Sequence, residues 1–173
     1  TIVWDRATGA PVANAIVWQS RITAPICEAL KSQGLEDTFR SKTGLVLDPY
    51  FSATKIRWLL ANDATLRRRA DEGRLCVGTI DSWLLWNLTG GPGSALHLTD
   101  VTNASRTQLM NLASLDWDDD ILQLFDVTSP TRPRLLHKEK IGSRGSSSQA
   151  ATDHLAFNYF AETGLLAVPM TIC

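Results

Sequence analysis

The chain has 173 residues, 44% of them hydrophobic, enough for one domain with a sizeable core. Its 17 basic and 18 acidic residues leave a net charge of -1, which excludes a strong electrostatic grip on nucleic acid or anionic lipid. No apolar run approaches the roughly 20 residues that a membrane-spanning helix needs.

The opening Thr1-Ile2-Val3-Trp4-Asp5 lacks an initiator Met and the basic start of a signal peptide. It reads like the middle of a strand, so the sequence reads as a fragment of a longer protein. Strands are predicted over Ile2–Asp5 and Asn14–Gln19, joined through Asp5-Arg6-Ala7-Thr8-Gly9 as a β-hairpin. A helix is predicted after Thr23, an N-cap residue type with Pro25 in the first turn, and it stops at Gly34. Leu35–Lys42 reads as a second short helix closed by Gly44.

Asp48-Pro49 marks a loop, because a residue before proline avoids helical angles. Ser52 is expected to cap a helix running to about Leu60, with Ile56, Leu59 and Leu60 on one face. Ala64–Glu72 continues as a helix to Gly73, and Leu75–Gly78 has the length and apolarity of a buried strand. Ile80–Leu88 is an aromatic-rich helix ended by Gly90-Gly91-Pro92-Gly93. His97–Thr99 and Gln108–Leu112 read as strands, and Asp119–Phe125 as a helix capped by one of the aspartates at 116 to 119.

From Arg132 to Ala151 the sequence turns basic and then Gly/Ser-rich, the composition of a loop or linker. His154–Ala167 is apolar enough for a helix, without a clear amphipathic period. Strands alternating with helices indicate a layered α/β domain. The three cysteines, Cys27, Cys76 and Cys173, are far apart, and His97, His137 and His154 are equally scattered. Neither a disulfide framework nor a zinc site is expected, which fits a reducing, cytoplasmic location. Arg67-Arg68-Arg69 is followed by Asp71-Glu72, and a solvated helix end is the reading there.

Five segments in order resemble the glycerol kinases of the FGGY family of carbohydrate kinases. They are Asn14-Ala15-Ile16-Val17-Trp18-Gln19, residues 43–58 from Thr43 to Trp58, Gly78-Thr79-Ile80-Asp81-Ser82-Trp83-Leu84, residues 97–107 from His97 to Thr107, and Leu115-Asp116-Trp117-Asp118-Asp119. The second contains most of the family's signature as Tyr50-x-Ser52-x-x-Lys55-Ile56-x-Trp58-Leu59, with Ala61 where a polar residue is usual. Residues 1–131 are similar to part of the glycerol-binding N-terminal domain, and 132–173 read as a divergent tail. The resemblance thins after about Arg134; an altered reading frame, an alternative exon or a degraded gene copy would each give such a break.

The resemblance implies an incomplete ribonuclease H-like domain of the sugar kinase/actin type. It implies a parent activity of phosphoryl transfer from MgATP to a terminal hydroxyl of glycerol, with homo-oligomers open to the complete enzyme. It implies that Tyr50 hydrogen-bonds a glycerol hydroxyl and that Trp18 packs on the carbon backbone; judged on its surroundings alone, core filling is the favoured role of Trp18, and the motif match reverses that. An Arg-Glu pair ahead of Thr1, a nucleotide domain after Cys173, and ATP and Mg2+ held by the complete enzyme rather than by this segment are further expectations. The family's catalytic aspartate falls opposite Ser147 in Ser146-Ser147-Ser148-Gln149-Ala150-Ala151, so no catalytic residue is assigned and the chain alone is expected to be inactive. Asp153 is nearby but no motif gives it that role.

Asp81 and Asn103 are expected to cap helices, Asp100 and Arg106 to form a structural ion pair, and the Lys55 stem to cover Ile56 and Trp58. A non-catalytic polyol- or partner-binding relative, or another FGGY sugar kinase, are the alternative readings.

Overall fold

The computed structural model describes residues 1–127 and 133–135, and beyond them the strand residues 147–148, 158–160, 165–167 and 170–171. Two compact units are resolved, Thr1–Leu136 and His137–Cys173. In chain order the first contains β1 (Ile2–Asp5), α1 (Ala24–Ser32), α2 (Glu36–Thr43), α3 (Ser52–Asn62), α4 (Ala64–Asp71), β2 (Leu75–Gly78) and α5 (Ile80–Leu88). These are followed by β3 (Leu98–Thr99), α6 (Val101–Ala104), β4 (Met110–Asn111), β5 (Asp116–Trp117), α7 (Asp119–Phe125) and β6 (Arg134–Leu135).

β1 and β2 pair antiparallel, with Ile2 opposite Gly78 and Asp5 opposite Leu75. Side chains alternate across a strand, so Val3, Leu75 and Val77 face one way and Ile2, Trp4 and Cys76 the other. Both sets are buried, in two separate clusters. The larger gathers Leu30 of α1, Phe39 of α2, Ile56 and Leu60 of α3, Leu66 of α4 and Phe125 of α7. Phe39 and Phe125 meet with ring centroids 5.1 Å apart. The smaller cluster sets Trp4 against Trp86 of α5, centroids 5.8 Å apart. A strand covered on both faces carries a continuous apolar run, which is why Ile2-Val3-Trp4 shows no alternation.

The predicted strand over Asn14–Gln19 does not form. The chain does return beside β1: Asp5 N–H donates to Ala10 O at 2.9 Å, Val12 N–H to Val3 O at 3.0 Å and Ile16 N–H to Thr1 O at 3.1 Å. The first two contacts share one register and the third is displaced by two residues, so no regular ladder develops. Pro11, which has no N–H to donate, sits in this return.

The helix starts follow local chemistry. Asp63 accepts from the amides of Thr65 and Leu66, and Asp118 accepts from Ile121 N–H. Ser52, expected as a cap, is the first residue of α3, and Phe51 holds the cap position. Thr23 precedes α1 without capping it, because its hydroxyl is spent on Thr54 Oγ1 at 2.9 Å in the buried α1–α3 contact. Gly44 ends α2 at φ +70°. Ala61, the departure from the signature, is exposed.

β3 pairs parallel with β6, and β4 antiparallel with β5. In the second unit β7 (Ser147–Ser148) pairs antiparallel with β10 (Met170–Thr171), and β8 (Asn158–Phe160) with β9 (Leu165–Ala167). The helix expected over His154–Ala167 is therefore replaced by paired strands at 158–160 and 165–167. Tyr159 and Phe160 favour extended backbone, and Gly164 disfavours a helix across the segment. The Gly/Ser-rich linker expected at 132–151 lies mostly outside the described residues.

Candidate substrate-binding site

Trp18 lies in the turn that follows the return segment and is 63% exposed. A core-filling role is thereby overturned: the segment leaves the sheet before Trp18, and the indole projects outward. Tyr50 lies in the loop between Pro49 and α3 and is 42% exposed. Their ring centroids are 6.3 Å apart at an interplanar angle of 53°. Two residues 32 positions apart in sequence thus form one open aromatic surface.

The backbone under Tyr50 is tied down on both sides. Its N–H donates to Asp48 Oδ1 at 2.8 Å, and its carbonyl accepts from Lys55 Nζ at 2.7 Å. Asp48 also faces Arg21 at 3.4 Å across an exposed ion pair. Phe51 packs edge-on against the Tyr50 ring, centroids 5.1 Å apart, and is itself buried. Lys55 is 2% exposed, and burial pushes its ammonium below the usual lysine range while the Asp48 charge partly opposes that. Its expected role as a stem covering Ile56 and Trp58 misses this contact, since the head group itself turns inward.

Arg106 completes the surface. Its guanidinium lies 5.8 Å from the Tyr50 ring centroid and 5.2 Å from that of Phe51. The expected Asp100–Arg106 ion pair is absent among the described residues. Asp100 is instead the N-cap of α6, accepting from Thr102 N–H and Asn103 N–H, and Asn103 Nδ2 donates to its other oxygen at 2.9 Å. Burial pushes the Asp100 carboxyl up, and these hydrogen bonds outweigh it and hold the group below the usual carboxylate range. Asn103 therefore supports the cap without being one. Asp81 caps nothing either: its two oxygens accept the hydroxyls of Thr79 and Thr99, the latter at 2.7 Å, which joins α5 to β3.

The turn carrying Arg106 is fixed to the loop carrying Tyr50. Ala53 N–H, in the first turn of α3, donates to Thr107 O at 2.9 Å. Trp18, Tyr50 and Arg106 thus come from three sequence segments, and α3 anchors two of them. The sequence reading set Arg106 aside as half of an ion pair and Lys55 as a covering stem, and assigned neither to the candidate site. The signal available for Arg106 was its place beside the family's Thr-Asn-Ala-Ser run; the proximity of Asp100 obscured it.

Ser147, opposite the family's aspartate, lies in β7. Asp153 lies outside the described residues. Among the described residues no group of three or more His, Cys, Asp or Glu side chains could hold a metal ion, and no helix is long and apolar enough to cross a membrane.

The sequence profile of the FGGY family of carbohydrate kinases, N-terminal domain, matches residues 1–156. That match continues past Arg134, where the motif resemblance thins. A glycerol kinase of Borrelia duttonii (strain Ly) is 53% identical over 153 residues, 88% of this chain and 30% of that protein. One from Paraburkholderia xenovorans (strain LB400) is 58% identical over 135 residues, 78% of this chain and 26% of that protein. The crystal structure of Plasmodium falciparum glycerol kinase with ADP superposes with a TM-score of 0.73 at 38% identity, covering 78% of this chain and 26% of that one. The chain spans under a third of the length of these relatives.

Proposed function

Because the chain belongs to the FGGY family of carbohydrate kinases, we propose that Trp18, Tyr50 and Arg106 form one wall of a glycerol site in an ATP:glycerol phosphotransferase. The mixed α/β architecture is the sugar kinase/actin-type ribonuclease H-like fold, in partial form. The observation that carries the proposal is the open Trp18–Tyr50 pair, 6.3 Å between centroids, in a chain that is 50 to 58% identical to several glycerol kinases.

The chemistry of the wall suits a triol. Its carbon chain offers a small apolar face that the exposed indole of Trp18 covers, and its hydroxyls need polar partners, one of which the Tyr50 phenol supplies. The Arg106 guanidinium adds positive charge to this wall, 5.8 Å from the Tyr50 ring centroid. In the complete enzyme ATP would supply the phosphoryl group, Mg2+ would neutralise its charge, and parts of the protein outside this chain would hold both. Such a transfer needs a carboxylate to take the hydroxyl proton. A serine hydroxyl has no useful basicity near neutral pH, so Ser147 does not supply that base, and this chain alone turns over no ATP.

The test is a titration of the chain with glycerol, xylulose and gluconate, followed by tryptophan fluorescence. A saturable response to glycerol that Trp18→Ala abolishes is the expected result. No response in the wild-type chain, or an equal response to the larger sugars, would overturn the glycerol assignment.

A further inference from the structure

Lys55 is the one lysine among the buried residues of α3, and its surroundings explain poorly why a cation belongs there. Its neighbours Ser52, Ala53, Thr54 and Ile56 are buried with it. Its only recorded hydrogen bond goes to a neutral acceptor, the Tyr50 carbonyl at 2.7 Å, and no carboxylate pairs with it among the described residues. Burying a charge with no carboxylate in direct contact lowers stability, and the Asp48 charge only partly offsets it. What the ammonium supplies is geometry. With Asp48 Oδ1 on the Tyr50 amide and Lys55 Nζ on its carbonyl, both peptide planes flanking Tyr50 are fixed. The direction in which the phenol leaves the backbone is thereby set, within reach of both Trp18 and Arg106.

We infer that Lys55 is a positioning residue for the polyol site: its ammonium holds the Tyr50 carbonyl so that the Tyr50 ring stays against Trp18. The inference rests on the reading of Trp18 and Tyr50 as the glycerol wall. Lys55 touches no substrate atom; it acts through Tyr50.

The chain has only two tyrosines, Tyr50 and Tyr159, so fluorotyrosine labelling gives two 19F resonances that Tyr159→Phe assigns. In Lys55→Met the Tyr50 resonance is expected to shift and broaden while that of Tyr159 stays. Glycerol affinity should fall on the order of tenfold, the size of one lost hydrogen bond to a charged group. The thermal midpoint should hold or rise, because a buried charge has gone. A merely structural lysine would lower the midpoint and leave the Tyr50 signal unmoved in the folded fraction, and that result overturns the inference. If Lys55→Met does not fold, Lys55→Gln decides, since a neutral donor of shorter reach should give a displaced Tyr50 signal and intermediate affinity; an unmoved signal overturns the inference. The 19F result decides the role of Lys55 even if wild-type chain ignores glycerol, an outcome that would count against the glycerol site alone.

Discussion

The guanidinium of Arg69 lies 2.7 Å from Asp5 Oδ2, fastening α4 to the end of β1 through a nearly buried ion pair. Asp5 is satisfied on its other oxygen by Ala7 N–H, Thr8 N–H and the Thr8 hydroxyl. Removing Arg69 leaves that carboxylate buried without its counter-charge. Arg69→Met is expected to lower unfolding free energy by about 2 kcal/mol, read by urea denaturation. Asp5→Asn should cost less, because the turn hydrogen bonds largely survive.

The same residues set the acid response. The Arg69 hydrogen bond, with the Thr8 and Ala7 contacts, holds the Asp5 carboxyl down to about 2 from 3.8. A carboxyl depressed on folding gives stability that is present above its unfolded value and lost as pH falls through the folded one. His97 acts at higher pH. Burial lowers its imidazole from 6.5 to about 4, where its Nε2 meets Val77 O at 2.9 Å. The unfolded chain then binds the extra proton first, so stability is full above 6.5 and drains as pH falls toward 4. Denaturation midpoints measured downward from about pH 6, below the range of the buried Thr1 amine, should decline first through the His97 range and then through the carboxylate range. His97→Gln should remove the upper stage alone.

Two glycines separate packing from backbone strain. A Cβ at Gly78 would come within 2.6 Å of Ser82 Cβ, in the first turn of α5, at an ordinary φ. Gly73 sits at φ +68° with open space around it. Gly73→Ala should cost about 1 kcal/mol, the strain of a left-handed residue. Gly78→Ala should cost about 3 kcal/mol, as overpacking does, and Ser82→Gly in the same chain should recover much of it. Equal losses from both single variants would contradict this account.

Trp18 offers a cleaner handle on the site. At 63% exposure its removal should change stability by no more than about 0.5 kcal/mol, read by thermal melting. Its emission should be the most readily quenched by acrylamide among the indoles of the described residues, since Trp4 and Trp86 are buried. Protection of Trp18 by glycerol would be the corresponding binding signal.

Several elements were legible because local signals agreed. The bounds of Ile80–Leu88 follow from Thr79 ahead and the Gly90-Gly91 loop behind, and those of Leu75–Gly78 from a short apolar run between turns. The Asn14–Gln19 strand was misread because its residues favour strands while the backbone partner changes register at Thr1. For the candidate site, the motif singled out Tyr50 and Trp18, and structure alone could show that Trp18 leaves the core and meets Tyr50. Arg106 was misassigned because sequence proximity to Asp100 says nothing about which groups already occupy that carboxylate. Lys55 carries no sequence signal separating a snorkelling head group from an inward-turned one.

The pairing of β1 with β2 has a kinetic consequence. The two strands lie about 70 residues apart in the chain, while α3 packs directly on α4, its neighbour in sequence. Short-range helix contacts close small loops and form early; joining Ile2 to Gly78 closes a large one and carries a greater entropic penalty. β1 is then the late arrival, and its docking sandwiches Val3 and Trp4 between two hydrophobic clusters at once. Slipping by a single residue would exchange those faces, placing an indole where an isopropyl group fits. Pairing of β1 with β2 should therefore follow the α3–α4 contact in refolding.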